Sequence, residues 1–312
     1  MEEALKKAAA ANDEASFAAA RATARAHGGA TALRAHLLAA GHIDEDGMLT
    51  TGVKPFNVFA RVASGKMSQP NMEEENAALG AAYAERFVVA SNLPAADKDW
   101  ASTAPEQIGK VSMGERHRFL TTRNLSWEWF NVLAFGLEGD ATSLREAIAT
   151  LEAMQAAARA FAKGTPKWSE SPERLGMFFH CFPNNSVQGL HMHLVDLGAT
   201  GPTFDHFSYK NLPATAVLKV LRDEREAEAA SRAVAESADA SAEPVQPVNL
   251  FQRLLRRVST LGQAEPAAEE AGVQEEDGGE EDEEGEEGED GEEEGEEEGE
   301  EGKDGEEEGE GG

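Results

Sequence analysis

The chain has 312 residues, a formal net charge of −31 and one cysteine, Cys181. A single thiol excludes an internal disulfide and a cysteine-built zinc site, and the sequence holds no run of about 18 apolar residues that could cross a membrane. From Gln263 onward there are 28 acidic residues against one lysine, so the remainder is nearly neutral and lacks the basic excess that binding a phosphate backbone demands.

Residues 1–50 are Ala-rich with interspersed charges and read as a helical N-terminal extension. One helix is expected over 3–26 and another over Thr31–Ala40, after the Gly28-Gly29 break. Residues 51–229 hold nearly all the Phe, Trp and branched aliphatic side chains and form the main domain, long enough for its own core. Within it Phe56–Ala63 reads as a short helix, and Arg86–Ala90 and Arg118–Thr122 as strands. A long amphipathic helix is expected from Ser143 to Ala162. Ser143 and Glu146 form its capping box, and Leu144, Ile148, Leu151, Met154, Ala158 and Phe161 form its buried stripe. Met177–Phe182 and Val187–Asp196 read as a strand pair and Ala214–Ala229 as a last helix. The class is α+β, an antiparallel sheet with a long packed helix.

Residues 230–262 read as a flexible linker carrying a short basic amphipathic segment, Leu250–Val258. Residues 263–312, almost purely Glu and Gly, have no apolar period with which to offset ordering entropy and read as a disordered acidic tail. Such a tail solubilises the chain and offers a contact to basic proteins. The acidic Met1-Glu2-Glu3 start argues against a presequence, so the expected location is cytoplasmic or nuclear.

The most informative stretch runs from Phe179 to Val195. Leu190, Met192 and Leu194 alternate with His191 and His193. At the strand period of two, both imidazoles share one face, with Cα atoms roughly 6.5–7 Å apart, close enough to act on one phosphate. Trp127 and Trp129 read as core residues, and His180 as a neighbour of the site without an assigned role.

The run Ser186-Val187-Gln188-Gly189-Leu190-His191-Met192-His193-Leu194-Val195 resembles the signature of the histidine triad (HIT) superfamily, His-φ-His-φ-His-φ-φ preceded by Ser-Val-x. The second and third triad histidines fall on His191 and His193, and the first falls on Gly189. Two upstream segments, Pro55–Lys66 and Arg116–Asn124, are similar in the same order to the family's N-terminal helix and its histidine-bearing strand. The similarity spans roughly residues 54–197.

This resemblance implies a nucleotide hydrolase or nucleotidyl transferase acting at the α-phosphate of nucleoside phosphoramidates or dinucleoside polyphosphates. His191 would be the nucleophile, its other nitrogen held by the Gly189 carbonyl. His193 would serve the phosphate and leaving group, His117 would support the network, and Ser186 would contact a non-bridging oxygen. Asn185, Phe56 and Phe59 would complete the substrate site. No metal or cofactor is expected; members of the family often dimerise, which makes a homodimer possible here, and the sequence leaves the oligomeric state open. Alternatives are an enzyme of adenylated or capped nucleic acid, and a catalytically weak nucleotide-binding module with an acidic interaction tail.

Two departures stand out. Gly189 lacks the side chain that partners the upstream histidine, a loss of orientation worth about 10–100-fold by analogy with metal sites, and a strand glycine leaves a gap for a larger ligand. The insertion Leu93–Glu115 has no counterpart in the family pattern.

Overall fold

The computed structural model describes residues 1–137, 141–166, 168 and 170–241. The basic segment 250–258 and the acidic tail 263–312 lie outside the described residues.

The Ala-rich N-terminus forms two helices rather than one, α1 (Glu2–Ala8) and α2 (Glu14–Ala26). The break falls at Asp13, whose carboxylate accepts the Ser16 N–H at 2.8 Å and so caps α2. Helix α3 (Gly29–Ala39) follows Gly28, which sits at φ 97° where a side chain would be strained. Leu5, Phe17, Leu33 and Leu37 of these helices are fully buried in the same apolar core as the long helix described below.

Asn57 caps α4 (Val58–Ala63): its Oδ1 accepts the Ala60 N–H at 3.0 Å while its Nδ2 donates to the Gln188 carbonyl at 2.6 Å. One side chain thus starts the helix and ties it to the loop ahead of His191. We expect Asn57→Ala to cost about 1–2 kcal/mol in a urea titration, since it removes a cap and a long-range hydrogen bond together. Helices α5 (Met72–Leu79) and α6 (Ala81–Ala84) follow.

The sheet comprises β1 (Phe87–Ser91), β2 (His117–Thr122), β3 (Leu175–Phe179), β4 (His191–Asp196) and β5 (Leu212–Pro213), in the order β1-β2-β4-β3-β5 with every pairing antiparallel. The open edge of β1 is covered by side-chain amides. Asn76 bonds both ways to Val89, and Gln69 both ways to Ser91, which blunts an edge that would otherwise invite a further strand. Helix α7 (Pro94–Lys98) lies in the insertion between β1 and β2.

Helix α8 (Ala141–Gly164) begins two residues before Ser143, so Ser143 lies in the first turn and does not cap it. The expected stripe is buried from Leu144 to Phe161, and each of its large side chains, Leu144, Ile148, Leu151, Met154 and Phe161, contributes about 1.5–3 kcal/mol. It shares its core with Phe87, Val89, Leu120, Met192 and Leu194 from one face of the sheet, and with Trp127 and Trp129.

Both late strands are shorter than the sequence pattern indicates. β3 ends at Phe179 because the Asn131 side chain takes over as partner, donating to the His180 carbonyl and accepting the Phe182 N–H. β4 starts only at His191, since the Leu190 N–H turns to the Trp129 carbonyl. Helices α9 (Pro202–His206) and α10 (Ala214–Ser241) complete the described chain. α10 passes the expected end at Ala229 because the Ala, Glu and Arg residues that follow are strong helix formers.

A buried charge joins the two ends of this unit. Arg21 on α2 has no exposed surface. It forks onto Glu224 of α10 at 2.6–3.1 Å and donates to the Leu133 carbonyl at 2.9 Å. Arg25 bonds the same carboxylate. Cys181 is buried, directly after His180.

Candidate functional site

The register of β2 against β4 sets His117 opposite Val195, Phe119 opposite His193 and Thr121 opposite His191. These residues all belong to the face away from α8. A second apolar cluster on that face, made by Phe59, Val62 and Ala63 of α4 with Val88, Ala90 and Phe119, closes one side of the histidines. Beyond it lies a cavity of about 470 Å³ lined in part by His117, His180, His191, His193, Ser186 and Phe59.

His191 is 8% exposed. Its Nδ1 lies 2.6 Å from the Gly189 carbonyl. A carbonyl only accepts, so Nδ1 carries the proton and Nε2 is the unprotonated nitrogen, on a ring that lines the cavity. Phe59 stacks on this ring with centroids 4.1 Å apart.

The tautomer of His193 follows from its neighbours. The Met113 backbone N–H donates to His117 Nδ1 at 3.2 Å, and the Asn92 amide lies 3.1 Å from the same nitrogen. His117 Nδ1 is therefore an acceptor, and its proton sits on Nε2, which faces His193 Nδ1 at 3.1 Å. His193 in turn carries its proton on Nε2. That nitrogen is buried and has no hydrogen-bond partner among the described residues. The site thus presents one imidazole nitrogen with a free lone pair and, on a ring 5.0 Å away, one N–H donor.

His180 belongs to the same cluster. Its ring packs 4.0 Å from that of His193, and its Nε2 lies 2.9 Å from Asn211 Oδ1. Among the described residues, no group of three or more His, Cys, Asp or Glu is arranged to hold a metal ion.

Burial is the main cause of the electrostatics here. It pushes His117 and His180 down to about 3, His191 down to about 4 even though the Gly189 hydrogen bond works the other way, and His193 well below the usual imidazole value. The Arg118 charge adds to the effect at His117 and the Lys210 charge at the other three, and neighbouring rings add to it at His117, His180 and His193. All four are neutral at pH 7. In the unfolded chain each accepts a proton near pH 6.5, so the stability tied to their neutral state is complete above 6.5 and is lost as pH falls to about 4 for His191 and about 3 for His117 and His180. At pH 5 the loss is up to about 2 kcal/mol for each imidazole. A midpoint that drops steeply between pH 6.5 and 5 in urea titrations is the expected result, and a flat midpoint would contradict the neutral cluster.

Comparison with family models, with curated proteins and with solved structures finds no match for this chain. The α+β fold, the five-stranded antiparallel sheet and the clustered histidines are compatible with a HIT-like arrangement.

The other residues singled out in the sequence are placed as follows. Ser186 and Phe56 line the cavity, with Phe56 more than half exposed at its mouth. The Asn185 amide turns into its own loop, donating to the Val187 carbonyl and Gln188 Oε1. Gly189 lies outside the strand, and a Cβ there would meet Asn57 and Phe59 at 3.4–3.7 Å. No gap for a ligand opens at that glycine. Nor is His117 left without a partner, because His193, Asn92 and Met113 engage both its nitrogens.

The insertion had no reading in the sequence, yet it builds one wall of the site. Leu93, Gly109, Lys110, Val111 and Met113 all line the cavity. A hydrogen-bonded chain leads from it to the histidines: Ser112 Oγ donates to Asp97, Asn92 donates to Ser112 Oγ at 2.6 Å, and Asn92 meets His117. Nothing in the local sequence marks Asn92 or Met113, which act because the chain sets them beside His117.

Proposed function

We propose that the chain is a HIT-like nucleotide hydrolase or nucleotidyl transferase that works through a covalent nucleotidyl-His191 intermediate. The observation that carries this reading is the complementary pair: His191 with its proton fixed on Nδ1 at Gly189, and His193 with its proton on an unpartnered Nε2.

His191 Nε2 attacks the α-phosphorus, forming a P–N bond as the bond to the leaving group breaks. The imidazole becomes cationic, and its Nδ1–H bond to the Gly189 carbonyl strengthens as the charge develops. His193 Nε2–H donates to the departing group. In the second half a water attacks phosphorus and loses its proton to solvent, the P–N bond breaks with its electron pair returning to His191 Nε2, and the nucleoside monophosphate leaves with both rings neutral. The substrates are nucleoside phosphoramidates or dinucleoside polyphosphates, with the base toward Phe56 and Phe59.

The test is a turnover assay on the full chain with AMP-phosphoramidate, diadenosine tri- and tetraphosphate and a cap dinucleotide, each in EDTA beside His191→Ala. Release of a mononucleotide that His191→Ala abolishes supports the reading. Absence of turnover with nucleotide still bound would replace it with a binding module.

A further inference from the structure

The cavity has two chemically different ends. Phe59 neighbours His191 at 4.1 Å, His191 neighbours His193 at 5.0 Å, and His193 neighbours His180 at 4.0 Å. His180 then meets Phe207 at 5.7 Å, and the Lys210 ammonium lies 3.8 Å from the centre of the Phe207 ring. The succession runs from an apolar end, where Phe56, Val58 and Met67 line the wall, past the two central imidazoles to a cationic end. Lys110 of the insertion belongs to that same end, because the preceding Gly109 donates to Thr203 Oγ1 at 3.1 Å and a Cβ there would meet the His206 and Phe207 rings at 3.3–3.5 Å. Lys110 and Lys210 also line the cavity, and among the described residues no carboxylate does.

Lys210 is half-buried, and no carboxylate pairs with it among the described residues. Its Nζ reaches only the Asn184 carbonyl, at 3.3 Å, and the face of Phe207. An ammonium drawn out of water without a counter-ion is unfavourable until an anion arrives. Its field reaches the site: after burial, it helps to hold His180, His191 and His193 in the neutral form.

Leaving groups differ in what they need. An amine leaving phosphorus must gain a proton, which solvent supplies while His193 Nε2–H hydrogen-bonds the departing group. A phosphate chain departs as an anion. The electron pair of the broken P–O bond stays on the former bridging oxygen, and the added charge needs cations beside it. We infer that Lys210, aided by Lys110, is a subsite for the phosphates of the leaving group, and that the preferred substrates are nucleotides whose leaving group is a phosphate chain, such as dinucleoside polyphosphates. This rests on the role proposed above for His191.

The experiment measures kcat/KM of the full chain on diadenosine tetraphosphate and on AMP-phosphoramidate, for the unaltered protein, Lys210→Met and Lys210→Arg. The ratio of the two constants within one preparation is independent of how much protein is folded. We expect Lys210→Met to lower the ratio about tenfold or more, the size of one charge-assisted hydrogen bond, and Lys210→Arg to restore most of it. An equal loss on both substrates would overturn the subsite. In parallel, ATP and AMP affinities are measured in a His191→Ala background with and without Lys210→Met. If no substrate turns over, the His191 reading fails. An ATP advantage that disappears with Lys210→Met would still establish the subsite, and no advantage at all would refute it.

Discussion

Replacing His191 with alanine is expected to lower turnover by on the order of 10⁴-fold or more while nucleotide binding persists. The ring supplies the atom that bonds to phosphorus, and no other free imidazole lone pair stands at the same point beside a carbonyl-fixed proton. His193→Ala should cost less, because the cations of the cavity still stabilise the leaving group when the donor is gone. The pH dependence gives an independent check. With His191 pushed to about 4 by burial, the nucleophile is unprotonated throughout the neutral range, so kcat should stay level from pH 8 to about 5 and fall below that. A profile that bends near 6.5 would mean that the nucleophile is an exposed imidazole, contrary to the arrangement described. Rapid-quench isolation of an acid-labile nucleotidyl adduct, absent in His191→Ala, would locate the bond.

The second large effect concerns stability. Glu224→Gln should destabilise the fold by about 3–5 kcal/mol, because it strands the fully buried Arg21 guanidinium without its counter-charge. Arg21→Met should cost less, since Glu224 keeps Arg25 and a thioether stem fits the apolar surroundings. The same pair sets a second acid limit. Burial raises the Glu224 carboxyl, but hydrogen bonds from Arg25 and Arg21 outweigh that and hold it at about 2. Its folded value is thus below the unfolded 4.5, so its contribution is full above 4.5 and disappears as pH falls toward 2, about 3 kcal/mol in all. Acid unfolding should therefore show two ranges, the histidine cluster first and Glu224 below it. In urea titrations, Glu224→Gln should abolish the lower range and leave the upper one. Retention of both would mean that the ion pair is worth little.

The histidine face was legible because it is local. His191, Met192, His193 and Leu194 alternate within four residues, and the strand period alone puts both rings on one side. The stripe from Leu144 to Phe161 was legible for the same reason, at the helical period. The parts that escaped are those whose partners lie far along the chain. Arg21 reads as a solvated helix residue because charged side chains are almost never fully buried, and its carboxylate partner is 203 positions away. Asn92, Met113 and Lys110 carry no periodic signal. Asn92 matters because it continues β1 past Ser91 to stand beside His117, and Met113 and Lys110 matter because the insertion returns to the cavity. The strand limits at Phe179 and His191 are set by Asn131 and Trp129, side-chain and backbone partners from a segment that contributes no strand itself.

Cys181 follows His180 in the chain and is walled in with it, its thiol pushed up to about 12 by burial. A thiol in that condition is almost wholly un-ionised at neutral pH and does not react with disulfides or alkylating reagents while the surrounding chain is closed. Its side chain belongs to the core shared with Leu5, Ala9 and Phe17, so its modification can proceed only as fast as α1 and α2 lift from that core. The protein therefore carries an internal clock for the undocking of its N-terminal helices, read out as the rate at which one sulfur atom becomes available to solvent.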